Sequence, residues 1–334
     1  MSFTHLQVIS TNSLMKSTLM IDDLIECAKK QGHQSIALTD SNNLIGAIEF
    51  YEKAIKAGIK PILGMTLNVQ SFYSSEASFS MLVLAKNNLG YKRLLELATH
   101  VQFNEQKFIS LDELSLVNEN LFIISPSFEG EIYNLIQSKQ YKKAEDLGQF
   151  YMKQFNHFYI GLSLQDQNQT INSFYKQTDL PVVALGDVRY LTKGDALPSK
   201  VLQVLEKEMP LGDEGQAAIN HFISSDNGEF SLTPPKETFD LFKNAGFEEG
   251  ALQTTRIAEQ ISLDINLKQR LMPTFPVPEG ETADSYLRKL CLESLETRVE
   301  NPSEDYFKRL NTELEVILSM NFSDYFLIVW DIMV

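Results

Sequence analysis

The first 190 residues alternate short apolar, β-rich runs with segments of helical periodicity, and this alternation is what most narrows the choice of fold. A run at Leu6–Ser10 precedes a helical segment in which Ile21, Leu24, Ile25 and Ala28 recur on one face. Gly32 is the expected stop of that helix, because glycine readily takes the left-handed conformation that ends one. Ser35–Leu38 reads as the next strand, closed by Thr39-Asp40, and a second helix is expected from Asn43 to Ala57, stopped by Gly58. Further strands are expected at Pro61–Leu63, Met81–Leu84, Leu121–Ile124, Phe158–Leu162 and Val182–Leu185. Repeated β-α units imply a parallel sheet. Seven or so such units, with no glycine-rich phosphate loop, favour a closed barrel over a doubly wound sheet.

Beyond residue 196 the pattern changes to helices, with a Gly/Asp-containing loop near Gly212–Gly215 and a helix beginning at Thr233-Pro234-Pro235. The stretch Met272-Pro273-Thr274-Phe275-Pro276-Val277-Pro278 is an extended connector, since three prolines in six residues resist helix. Two amphipathic helices come next, Ala283–Val299 and Glu304–Met320; the second carries Phe307, Leu310, Leu314, Ile317 and Leu318 on one stripe. The run Tyr325–Val334 is apolar nearly all round, as a buried element would be, and is expected to lie inside a larger domain. The domain reading is a barrel core of residues 1–195, an accessory segment 196–265 and a separate domain from 266.

A net charge of −15, with 29 scattered basic residues, argues against tight nucleic-acid binding by this stretch alone. The opening residues MSFTHLQVIS have no basic segment followed by an apolar run, so no signal peptide is expected, and no apolar run is long enough to span a bilayer. Cys27 and Cys291 are far apart, read as reduced thiols, and a cytoplasmic location is expected.

In βα-barrels reactive groups sit where strands end. Those positions hold His5 to Ser10, Asp40-Ser41, Thr66, and Asp187-Val188-Arg189, too thin a set for a multinuclear metal centre. His5 reads as a structural, hydrogen-bonded histidine, and His33, directly after a helix stop, as exposed. His100, His157 and His221 form no cluster by spacing. Asp40 and Asp187 are equally well placed to cap a helix or loop.

These residues resemble the start of the bacterial DNA polymerase III alpha family, of the DnaE type. The resemblance is carried by HLQVIS at His5, ALTDSNNLIGAIEFY at Ala37, GIKPILG at Gly58, GDVRYL at Gly186 and NFSDYFLIV at Asn321, in the family's order along almost the whole chain. It implies a PHP-type distorted (β/α)7 barrel, then a helical segment and the beginning of a polymerase palm domain. Polymerase residues that bind nucleotide and magnesium would lie beyond Val334, so no catalytic, metal- or nucleotide-binding residue is expected here, and Mg2+ would serve the full-length polymerase. The implied partners are a DNA primer-template, deoxynucleotides, the sliding clamp and a proofreading exonuclease subunit. Metal-loaded family members carry histidines or acids where this sequence has Gln7, Ile9, Ser41, Thr66, Ser80 and Arg189; Asp40 and Asp187 alone remain acidic. The resemblance therefore implies a PHP domain with a degenerate metal site, acting as a scaffold. The alternative, a metal-dependent phosphoesterase or 3′–5′ exonuclease, needs the missing ligands.

Overall fold

The computed structural model describes residues 2–163, 169–206, 220, 230–267 and 273–333. Within them the chain forms two compact units, Met1–Ile265 and Asn266–Val334. His221 and the Gly212–Gly215 loop lie outside the described residues, as does Met272 of the proline-rich connector.

In the first unit, helix α1 spans Ile21–Gln31, strand β1 Ser35–Leu38 and helix α2 Ala47–Ala57. Leu24, Ile25 and Ala28 bury the inner face of α1, while Asp22 and Asp23 at its start and Lys29 and Lys30 at its end complement the helix dipole. Gly32 (φ 79°) and Gly58 (φ 78°) end the two helices in the left-handed conformation, as expected. Helix α2 starts four residues later than Asn43, because the Asn43 side chain accepts the Ile45 amide in a local turn.

Strand β2 (Lys60–Gln70) is far longer than the expected Pro61–Leu63 and turns directly into β3 (Ser78–Ala85). Helix α3 (Asn88–Phe103) and the short α4 (Leu111–Leu116) lead to β4 (Leu121–Ser125). Helices α5 (Glu131–Gln137) and α6 (Tyr141–Gln154), β5 (Phe158–Leu162), α7 (Gln169–Gln177) and β6 (Val182–Ala184) complete the alternation. The sheet runs β1-β2-β3-β4-β5-β6. It is mixed, contrary to the expectation of a parallel sheet: β2–β3 and β3–β4 are antiparallel, and β1–β2, β4–β5 and β5–β6 are parallel. The cause is the β2–β3 connection, which has no helix to carry the chain back to a parallel start.

The expected strand Leu6–Ser10 contributes one isolated bridge, Val8 to Val188, yet it joins the two ends of the sheet. On one flank the Ala37 amide donates to the His5 carbonyl (3.0 Å) and the Thr39 amide to the Val8 carbonyl (2.8 Å). On the other, the Ile9 amide donates to Val188 (2.9 Å) and the Val188 amide to Gln7 (3.0 Å). From His5 to Val8 the chain takes one step more than from Ala37 to Thr39, and that offset breaks the regular ladder. One buried cluster gathers Leu6, Ala37, Ile62, Leu82, Leu84, Phe122, Ile124, Val183 and Leu185, with Tyr159 of β5 packed against it. All seven segments thus point apolar side chains into a common interior.

After α8 (Ala196–Glu206), helix α9 (Pro235–Asn244) opens with proline at its first turn, where no amide hydrogen bond is lost. Helix α10 (Glu248–Gln260) adds Ile257 and Ala258 to the interior cluster.

The second unit contains α11 (Ala283–Arg298), α12 (Glu304–Ser319) and α13 (Ser323–Met333). A reciprocal Thr282–Ser285 capping box starts α11. Leu287, Leu314 and Leu327, one from each helix, form the buried centre, with Leu310, Ile317 and Leu318 packed around it. In the Tyr325–Val334 run, whose burial was expected only inside a larger domain, Leu327 is buried in this unit, while Tyr325, Phe326, Val329, Ile332 and Met333 are exposed.

Candidate functional site

The carboxyl ends of the strands and the loops beyond them bring together most of the residues singled out in the sequence. Asp40, just past β1, is 2% exposed and fully engaged. Its Oδ1 accepts from the Ser10 amide (2.8 Å) and the Ser13 hydroxyl (2.7 Å), and its Oδ2 from the Ser10 hydroxyl (2.8 Å). Burial pushes its pKa up, and the bonds from Ser13 and Ser10 oppose that shift. Asp40 therefore anchors the loop of residues 10–13, which precedes it in the chain, and does not cap the turn after β1. Lys16, further along that loop, donates to the Ser41 hydroxyl (3.1 Å). Thr66 of β2 is buried and its hydroxyl donates to the Thr39 carbonyl. Gln7 and Ile9 are both buried in the N-terminal segment.

The second half of the site is ionic. The Arg189 Nε donates to both Asp187 oxygens (3.1 Å each) and its Nη2 to Asp187 Oδ2 at 2.7 Å. The same Nη2 reaches Glu129 Oε1 at 3.3 Å, and Glu129 Oε2 accepts the Ser80 hydroxyl at 3.1 Å. The guanidinium also lies over the Phe230 ring, 5.1 Å from its centroid. Burial alone would raise the Glu129 pKa, but the charges of Arg189 and Lys16 outweigh it and hold the carboxyl below its usual range. Burial disfavours the Arg189 cation, yet Asp187 and Glu129 more than compensate and keep it charged.

Two histidines are buried in the same unit. His5 is buried, as its structural reading required, with Nε2 bonded to the Thr233 carbonyl (3.0 Å). His33 is 3% exposed, which corrects the expectation of an exposed side chain. Its ring lies 5.4 Å from that of His5, and its Nε2 meets Gln31 Oε1. A residue just past a helix stop is folded back here by its amide bond to Ala28, which turns the side chain inward. Burial lowers both pKa values, that of His33 to about 3.

Glu129, Lys16, Ser13 and Phe230 were not singled out in the sequence. Glu129 comes after β4, so the strand-end rule pointed to its neighbourhood; Phe230 carried no local signal. Beside the site, a groove of about 910 Å³ is lined by Asn12, Leu14, Lys16, Asn43, Leu95 and Phe103 among others.

The PHP fold implies a cluster of cations at these strand ends, and the side chains do not fit one. Among the described residues no group of three or more His, Cys, Asp or Glu is placed to hold a metal ion. The two neighbouring carboxylates, Asp187 and Glu129, are already bridged by a guanidinium, whose positive charge would repel a cation. Among the described residues no single helix is long and apolar enough to cross a membrane.

Residues 5–166 match the PHP domain family, and residues 285–334 match the family described as the bacterial DNA polymerase III alpha NTPase domain. The chain is 33% identical to the DNA polymerase III subunit alpha of Bacillus subtilis over 100% of its own length and 30% of that protein's. It is 33% identical to the subunit of the same name from Borreliella burgdorferi, over 98% of this chain and 30% of the relative. With that of Halalkalibacterium halodurans the identity is 29%, over 100% and 29%. The chain thus spans about 30% of the length of the curated relatives it matches. Its residues 5–166 are a PHP domain, and the chain as a whole matches the N-terminal part of DNA polymerase III alpha subunits.

Proposed function

We propose that this chain is the non-catalytic N-terminal part of a replicative DNA polymerase, in which the PHP barrel is a structural and partner-binding scaffold and residues from 266 begin the palm. The observation that carries the reading is the Arg189 guanidinium held between Asp187 and Glu129 at the strand ends. Phosphoester hydrolysis by two or three metal ions depends on cations that activate water and stabilise the leaving oxygen. Here Gln7, Ile9, Ser41, Thr66 and Ser80 offer no charged ligand, Asp40 is spent on its loop, and Arg189 neutralises Asp187. Polymerisation, with its Mg2+, deoxynucleotides and primer-template, belongs to the parts of the relatives that this chain does not span, as do contacts with the sliding clamp.

Elemental analysis of the purified chain tests the scaffold reading. No stoichiometric zinc, manganese or iron is expected, and no hydrolysis of phosphomonoesters or of DNA 3′ ends. Two or more tightly held metals per chain would overturn it, as would exonuclease activity abolished by Asp40→Ala. Primer extension with magnesium and four nucleotides should yield no product from this chain alone; template-dependent extension would place the polymerase chemistry within it. The charge of −15 predicts DNA binding weaker than micromolar at physiological salt, measured by anisotropy.

A further inference from the structure

Arg189 ties together stretches of chain far apart in sequence. Its carbonyl accepts the Ser17 hydroxyl (2.7 Å) and the Thr18 amide (3.2 Å) of the N-terminal loop, and its amide donates to the Phe230 carbonyl (2.9 Å). Its guanidinium binds Asp187 and Glu129, and Glu129 is in turn joined to β3 through the Ser80 hydroxyl and amide. Residues 230–233 form a strap against this group. The Phe230 amide donates to the Tyr190 hydroxyl, and the Leu232 amide to the Tyr190 carbonyl. The Leu232 carbonyl accepts from Gln31, and the Thr233 carbonyl faces His5 Nε2.

We infer that Arg189 is a built-in cation that gathers Asp187, Glu129 and the 230–233 strap, as a bound metal gathers its ligands, and so locks the strap to the strand ends. The inference rests on the reading that the cleft holds no metal. The Asp187 and Glu129 side chains are 8% and 34% exposed, so each has lost much of its hydration and both need a positive partner. A guanidinium is suited to this because its planar fork donates to two carboxylates while its face stacks on an aromatic ring. An ammonium offers one centre of charge and no planar face, so lysine cannot meet all three demands. Unlike a bound ion, this cation has no dissociation equilibrium, and the lock is independent of metal supply.

The test compares the full chain with Arg189→Met, Arg189→Lys and the triple variant Arg189→Met/Asp187→Asn/Glu129→Gln, by thermal melting and hydrogen exchange. Arg189→Met should lower the melting temperature of the first unit by about 10 °C, because it strands two carboxylates without their partner. The triple variant should recover at least half of that loss, since nothing charged remains stranded. In all three variants the amides of residue 189 and Leu232 should exchange at least tenfold faster. Arg189→Lys keeps the charge and the fold, so strap opening can be read even if Arg189→Met does not fold. Native strap protection in Arg189→Lys, an unchanged melting temperature in Arg189→Met, or a triple variant no more stable than Arg189→Met would each overturn the inference. A wild-type melting temperature that falls with chelator or rises with manganese would instead sink the metal-free reading beneath it.

Discussion

The two units bury their apolar side chains in different ways. In the first, every segment of the ring contributes to a common interior, and neighbouring residues on the same strands feed other clusters: Ile62 faces the interior, Leu63 packs with α1 and α2, and Met65 joins a third group. The loss of one side chain there leaves the surrounding layers in place. In the second, one leucine from each of α11, α12 and α13 makes the centre, and Tyr325, Phe326, Val329 and Ile332 remain exposed on the last helix. The difference teaches that three helices, of which α11 has a capping box and α12 has no side-chain cap at its start, can be ordered on a small core, and that such order rests on few residues.

The largest effect expected from this contrast comes from the same substitution in both units. Leucine to alanine in a core costs about 2–5 kcal/mol. Leu327→Ala should unfold the second unit at 25 °C, whereas Leu82→Ala should leave the first unit folded with a lower melting temperature. Trp330, the single tryptophan, packs edge-on against Tyr286 and reports on the second unit alone. Native-like Trp330 emission in Leu327→Ala would show that the three-leucine centre is better supported than its size suggests.

A smaller effect is expected from acid. An unfolded histidine takes up a proton near pH 6.5, but folded His33 stays neutral down to about 3 because it is buried beside His5. Between those values the unfolded chain binds the extra proton, so this contribution is fully present above about pH 6.5 and drains away as pH falls toward 3. The slope is about 1.4 kcal/mol per pH unit for one histidine. Residues 266–334 contain no histidine, so the second unit lacks this contribution. Denaturant titrations at pH 7, 6 and 5 should show the first unit weakening, with His33→Gln flattening the trend; equal slopes in His33→Gln and wild type would remove His33 as the cause.

The smallest effect concerns charge at the surface. Arg309 pairs with Glu313 on α12, but both side chains are more than half exposed, at 79% and 54%. Water screens such a pair, so Arg309→Ala should leave the Trp330-monitored melting curve unchanged. A clear drop would mean that ion pairs carry part of the stability its small core does not supply.

Much of this architecture was legible in the sequence. The strand Phe158–Leu162 falls where its apolar run predicts, and the stops at Gly32 and Gly58 reflect backbone sterics. Strand direction was not legible: a continuous apolar run such as Met81–Leu84 reads the same whether its neighbours are parallel or antiparallel. The scarcity of histidines and acids at the strand ends was visible, because ligand chemistry depends on residue identity. The network that occupies the strand ends was not. The pairing of Glu129 with Arg189 spans 60 positions, and the stacking of Phe230 on the same guanidinium depends on a chain path that local pattern does not encode.

The N-terminal segment that joins β1 to Val188 has a consequence for how the protein is made. His5 meets Gly186 across 181 positions of chain, and the Thr4 amide meets the Thr254 hydroxyl across 250. A ribosome adding residues at about 5–20 per second needs roughly 10–40 s to supply the first of those distant partners. During that interval Leu6 and Val8, later among the most deeply buried side chains, have neighbours on one flank at most. The nascent chain therefore carries an unfinished edge until residue 186 and the stretch beyond it have emerged, which favours a chaperone on emerging chains and is expected to make ring closure the slow step of refolding.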